Sequence, residues 1–169
     1  MPYTLNDLVE DIKEIVISEK ISEGSDKICY FVSKALMDQN FITENLPDRQ
    51  NGDSPRQILY EDEETGFCVC GHVYDSKAIG NPHDHGPSWA IYGQATGETE
   101  MTDWEVTKKQ SSDNTIYVKP KQTYTMKAGD VHFYNVGQVH SPVRNDPVRL
   151  LRIEGVNLDN VKRSNIKAI

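Results

Sequence analysis

Cysteine is scarce. Cys29, Cys68 and Cys70 are the whole complement, an odd number with no CxxC pair, which argues against a disulfide framework. They read as free thiols in a reducing, cytoplasmic setting. Cys68 and Cys70 share one face of an expected strand, where packing as small hydrophobes is favoured over a metal or redox role. Positive charge is also short: 18 Lys and Arg against 26 Asp and Glu leave a net charge of −8. That balance argues against a nucleic-acid partner, which needs a basic footprint. No apolar run is long enough to span a membrane, and the N-terminus lacks the charged-then-apolar order of a signal peptide. Internal repeats and low-complexity tracts are absent, and 169 residues suffice for one core, so a single domain over 1–169 is expected.

What is present divides into a helical front and a β-rich body. Thr4 and Asp7 have the spacing of a capping box, and Leu5, Leu8, Ile12, Ile15 and Val16 follow at helical spacing. After Gly24 a second amphipathic segment uses Ile28, Phe31, Val32, Ala35 and Leu36. These two helices occupy a front segment of 1–46, and the polar stretch Pro47–Pro55 is a connector. Short β-type runs then come at close intervals: Gln57–Tyr60, Phe67–Tyr74, Trp89–Ala95, Glu98–Val106, Thr115–Val118, Thr123–Lys127, Val131–Tyr134 and Val148–Ile153. Turn signals separate them, among them Glu64-Thr65-Gly66 and Ala128-Gly129-Asp130. Many short strands without intervening helices indicate a sandwich or barrel over 56–155, with 156–169 as a surface strap.

Three histidines carry the chemistry. His83 and His85 lie in Gly80-Asn81-Pro82-His83-Asp84-His85-Gly86, and His140 ends Asn135-Val136-Gly137-Gln138-Val139-His140. Residues two apart in extended chain point the same way, so His83 and His85 can reach one metal while Asp84 turns away. A third imidazole from a distant strand completes the set and leaves positions open for substrate. This spacing suits iron or a related transition metal better than a closed structural zinc site. His-X-His is also a common accident on an exposed strand, and the second motif is what raises its weight.

These residues resemble the two metal motifs of the cupin superfamily. Gly80, His83, His85 and Gly97 match the first motif, and Gly129, Gly137 and His140 the second. Ala90 stands where the usual glutamate ligand would be, and Asn135 occupies the usual proline position. The implied set is therefore three histidines. A three-histidine cupin behind a helical pair looks like the cysteine dioxygenase (thiol dioxygenase) family. Arg56-Gln57-Ile58-Leu59 resembles that family's Arg-Asn-Leu-Val segment, whose arginine grips the substrate carboxylate. The resemblance implies an all-β cupin fold, a double-stranded β-helix or jelly-roll barrel with two N-terminal α-helices. It also implies Fe(II) at His83, His85 and His140, with nickel, manganese or zinc as alternatives.

The departures concern the substrate. Well-known cysteine dioxygenases carry a cysteine at the position of Ala90 and a Ser-X-His-X-Tyr strand after the third ligand. Here Leu150, Arg152 and Glu154 replace that serine, histidine and tyrosine. Strand parity supplies further candidates. If Ala90 faces the metal, Tyr92 and Gln94 share that face; Tyr92 is placed to hydrogen-bond bound oxygen and Gln94 to contact substrate, or both fill the barrel. Arg152 and Glu154 share a face that is either pocket or solvent. If it is pocket, Arg152 rivals Arg56 as carboxylate anchor and Glu154 pairs with it or orients a ligand histidine. His72 and His132 read as packed or solvated, Trp89 and Trp104 as core, and Glu98 and Glu100 as a solvated face with a carboxylate ligand in reserve.

Three neutral imidazoles leave Fe(II) its full double charge, favour anionic chelating substrates and would deprotonate a coordinated thiol. The expected activity is an iron-dependent dioxygenase that takes O2 and a small anionic substrate, a thiol foremost, to a sulfinic acid. Two alternatives stand beside it: a non-catalytic cupin that binds a metal or metabolite in sensing, and a cupin isomerase or hydrolase that uses the metal as a Lewis acid.

Overall fold

The computed structural model describes residues 2–169. Helix α1 (Leu5–Ser18) starts at the expected capping box: Thr4 Oγ1 accepts from the Asp7 N–H at 3.2 Å, and the Asp7 carboxylate accepts from the Thr4 N–H at 2.8 Å. Helix α2 (Ile21–Leu36) begins earlier than the sequence pattern suggests, with Gly24 inside its first turns. A Cβ at Gly24 would collide with Ile15 Cγ2, so this glycine serves close approach of the two helices and not a break. A third helix, α3 (Gln39–Asn45), was not expected. The Asp38 side chain caps it by accepting from the Asn40 N–H at 2.9 Å, and it buries Phe41 and Ile42. Two turns are too few to show a helical stripe. The architecture is therefore not purely β.

The strands are β1 (Arg56–Glu61), β2 (Cys68–Tyr74), β3 (Ala78–Ile79), β4 (Ala90–Thr96), β5 (Thr99–Lys109), β6 (Thr115–Met126), β7 (Val131–Tyr134), β8 (Val139–Arg144), β9 (Val148–Glu154) and β10 (Asn165–Ala168). They form two sheets, ordered β1-β2-β9-β4-β7 and β10-β6-β5-β8-β3. Set aside β1 and β10 at the edges, and the chain alternates between the sheets in the order of a jelly roll, a double-stranded β-helix. Three details depart from the sequence reading. The runs Thr115–Val118 and Thr123–Lys127 belong to one strand, because a bulge at Lys121, next to Pro120, absorbs the proline without ending the ladder. Strand β8 has Pro142 in its middle, which hides it from a strand pattern. The expected strap at 156–169 contains a 3₁₀ turn (Leu158–Asn160) and β10, which pairs parallel with β6 and covers that strand's open edge.

Alternation along the strands produces two cores. On β4, Ile91 joins Val69, Val73, Leu151 and Ile153 in packing against Leu8, Ile12, Ile28 and Val32 of the helices. Each such fully buried side chain contributes about 1.5–3 kcal/mol by leaving water. Trp89 packs at the margin of this layer, and half-buried Trp104 donates its Nε1–H to Ser141 Oγ at 2.8 Å. Ala90, Tyr92 and Tyr134 turn the other way and meet Met101 and Met126 from the opposite sheet inside the barrel. The helices thus seal one face of the sheet and leave the inner face free for polar groups. A salt bridge from Lys13 to buried Asp62, at 3.0 Å, ties α1 to the β1–β2 turn.

Candidate metal centre

His83 does not lie in a regular strand. It forms an isolated bridge to His140 on β8, each backbone N–H donating to the other's carbonyl at 3.0 Å. Gly80 makes this possible: its N–H donates to Pro142 O at 2.8 Å, and a Cβ there would sit 2.8 Å from Pro142 Cδ. The bridge brings the three imidazoles together, with ring centroids 4.6 Å apart for His83–His140, 4.8 Å for His85–His140 and 5.7 Å for His83–His85. One ligand nitrogen from each lies within 4.8 Å of the others, and no cysteine or carboxylate joins the group among the described residues. Asp84 turns away, and its carboxylate accepts from Ser164 N–H at 3.2 Å and Ser164 Oγ at 2.5 Å, holding the C-terminal segment against the loop.

Orientation and protonation of the rings fit a metal. His83 Nδ1 faces the Asn81 carbonyl at 2.8 Å, the contact that holds a ligand ring with Nε2 free. His85 Nε2 and His140 Nε2 both turn towards the Tyr92 hydroxyl, at 3.0 Å and 3.3 Å. Burial lowers His83 to about 4 and His85 to about 2, and holds His140 well below the usual imidazole range. The rings are neutral at physiological pH, the state in which imidazole offers a lone pair to a metal. His85 Nδ1 and His140 Nδ1 are buried without a protein partner. Tyr134 stacks on His140 with centroids 4.0 Å apart. A neutral nitrogen set of this kind suits a divalent first-row transition metal.

Beside the rings lies a network of opposite charges. Arg152 Nη1 donates to Tyr92 Oη at 3.1 Å, and its Nε donates to Glu154 Oε1 at 2.8 Å. Arg56 reaches the same carboxylate, Nη2 donating to Glu154 Oε2 at 2.8 Å, while its Nη1 meets Asp159 at 2.6 Å. Glu154 also accepts the Leu158 N–H at 3.0 Å. Burial alone would raise the carboxyl of Glu154, but Arg152, Arg56 and the Leu158 amide hold it below its usual range. Cys68 and Cys70 point into this region as neutral thiols; burial pushes them up to about 11 and about 12.

The inner face therefore carries Ala90, Tyr92, Gln94, Arg152 and Glu154. Gln94 is buried, with Nε2 donating to the Thr96 carbonyl at 3.0 Å, and it does not border the open cavity. Glu98 and Glu100 are exposed, as is His132, which stacks on Tyr124 at 4.7 Å. A cavity of about 500 Å³ opens beside His83, with Tyr92, Arg56 and Arg152 also in its wall. Sequence reasoning missed three other wall residues, Tyr74, Arg144 and Arg163, and did not place His72 there. One signal was available for Arg144: it follows His140 by four residues and so shares its face of β8.

No protein-family model matches the chain, and no curated protein matches it. Solved structures do resemble it. A Klebsiella pneumoniae protein with a double-stranded β-helix domain is 17% identical over 75% of this chain and 95% of its own, with a TM-score of 0.49. A cupin superfamily protein from Desulfitobacterium hafniense is 11% identical over 67% and 96%, with a TM-score of 0.48. An oxalate oxidase is 14% identical over 72% and 61%, with a TM-score of 0.49. These likenesses concern the outline of the fold, and the chemistry has to be read from the site.

Proposed function

We propose that His83, His85 and His140 hold one Fe(II) ion and that the protein is a dioxygenase of the thiol dioxygenase type. The reaction is R–SH + O2 → R–SO2H: both oxygen atoms enter the product, sulfur is oxidised and dioxygen reduced. The observation that supports this reading is the convergence of three neutral imidazoles, His85 and His140 buried and His83 half-buried, without a carboxylate beside a cationic cavity. Iron bound there would bring thiolate and dioxygen together and would mediate the passage of electrons from sulfur to oxygen. Nickel, manganese or zinc would fit the same donors.

The chain's own groups supply orientation. Tyr92, held by Arg152, is the hydroxyl nearest the imidazole nitrogens and is positioned to donate a hydrogen bond to a reactant. Glu154 holds Arg152 and Arg56 in place and so sets the position of Tyr92 at second hand. Arg56 has its fork engaged by Glu154 and Asp159 in this arrangement, which makes it the weaker candidate for a substrate carboxylate.

The test is metal analysis of protein purified without added metals, followed by oxygen uptake with a panel of small thiol acids and their thiol-free analogues. Stoichiometric O2 uptake with a thiol acid, and a sulfinic product, is expected; free L-cysteine is expected to turn over weakly. Turnover without oxygen would replace this reading by a Lewis-acid isomerase or hydrolase, and binding without turnover by a sensor.

A further inference from the structure

We infer that Arg144 is the anion anchor of the cavity and that the substrate carries a carboxylate at the end remote from its metal-binding group. The inference rests on the proposed centre for that second end only.

The cavity wall holds four arginines, Arg56, Arg144, Arg152 and Arg163, and among the described residues no aspartate or glutamate. In a chain of net charge −8 this is a local reversal of sign. Two of the four cations are already answered, Arg152 by Glu154 and Arg56 by Glu154 and Asp159. Arg144 is not. It is 5% exposed, and among the described residues its guanidinium makes no ion pair and no side-chain hydrogen bond. Its only defined contact is with a π face: Cζ lies 4.6 Å from the centroid of the Tyr74 ring. Its Nε is buried with no partner at all.

A buried cation without a countercharge is costly, and native proteins rarely keep one unless a ligand completes it. The surroundings point to what that ligand is. Tyr74 lies against the guanidinium without taking up its N–H groups, and a guanidinium fork matches a carboxylate with two parallel hydrogen bonds. His72 adds a neutral ring whose Nε2 is also buried and unpartnered, a second group for an oxyanion ligand. Arg163, on the exposed C-terminal segment, stands at the wall with no ion pair among the described residues and adds long-range attraction. The register places the anchor relative to the metal. Arg144 pairs with Ala78 at the far end of β8, while His140 pairs with Asp103 nearer its start. The two side chains leave the same face, separated along the strand by about 13 Å between Cα atoms. Arg144 and His83 thus border the same cavity, the arginine towards the end of β8 and the histidines nearer its start.

The test measures binding by calorimetry to Fe(II)-loaded protein without oxygen, using 3-mercaptopropionate, succinate and 2-mercaptoethanol as probes. Wild type, Arg144→Gln and Arg144→Lys are compared, with iron content and ligand-free melting temperature recorded for each. Arg144→Gln should weaken 3-mercaptopropionate and succinate at least tenfold, leave 2-mercaptoethanol unchanged and keep full iron. Arg144→Lys should recover part of the loss. Ligand-free Arg144→Gln should melt no lower than wild type, because an unanswered buried charge has been removed; a purely structural arginine would show the reverse. Unchanged carboxylate affinity in Arg144→Gln overturns the inference, as does a loss shared equally by 2-mercaptoethanol, or failure of both carboxylates to bind wild type. Arg144-dependent succinate binding with no thiol binding supports the anchor while refuting the thiol reading.

Discussion

The Tyr92 hydroxyl lies 3.0 Å from Nε2 of His85, the nitrogen that would coordinate the metal. Without a metal this hydrogen bond satisfies the ring; with one, the lone pair goes to the ion and the hydroxyl is released towards Arg152 and the reactants. Removing the hydroxyl should therefore separate binding from turnover. Tyr92→Phe is expected to bind iron about fivefold more tightly, the equivalent of one lost competing hydrogen bond. Oxygen uptake should fall about 10²-fold if the hydroxyl assists proton transfer. Weaker iron binding in this variant would show that Tyr92 is itself a ligand.

Replacing His140 with alanine is expected to lower iron affinity by more than about a hundredfold, a larger effect than loss of a supporting partner. Circular dichroism should remain that of the wild type, since the helical core lies on the other face of the sheet. Full iron occupancy in His140→Ala would defeat the three-histidine assignment.

Glu154 answers two guanidiniums with one buried carboxylate. Glu154→Gln would leave Arg56 and Arg152 without their shared countercharge and is expected to destabilise the protein by about 3–5 kcal/mol in urea titrations. Arg56→Gln should be milder for stability and should raise KM less than Arg144→Gln does. A larger KM effect at Arg56 would return the carboxylate anchor to β1.

Asp62 accepts hydrogen bonds from Thr65 Oγ1 at 2.7 Å, Thr65 N–H at 2.8 Å and Tyr60 Oη at 2.8 Å besides its pairing with Lys13, and these hold its carboxyl well below the usual range. A depressed folded-state pKa means that the stability it contributes is present above the unfolded value near 3.9 and is lost as pH falls below it. Wild type should therefore lose stability more steeply than Asp62→Asn between about pH 4 and pH 2. At pH 7 the variant should melt at a lower temperature than wild type. Parallel pH profiles would show that Asp62 does not hold α1 to the sheet.

The three-histidine cluster was legible because its signal is local in kind: a His-X-His segment and one further histidine are chemical signatures that survive without coordinates. Likewise parity put Tyr92 and Gln94 on a common face of β4, and Arg152 and Glu154 on a common face of β9, since a strand alternates whatever it pairs with. Composition and turn spacing determined that the body is a β sandwich or barrel, and the Thr4 capping box located the first helix. Tertiary structure alone decided which arginine is free. Arg56, Arg144 and Arg152 carry the same group, and they differ only in whether Glu154 and Asp159, distant in sequence, lie close enough to answer their charge. It also decided that Pro142 sits within a strand, that Gly24 is a helix contact and that the C-terminal segment becomes β10. In each case the deciding partner is remote along the chain, so the outcome depends on pairings that no local pattern encodes.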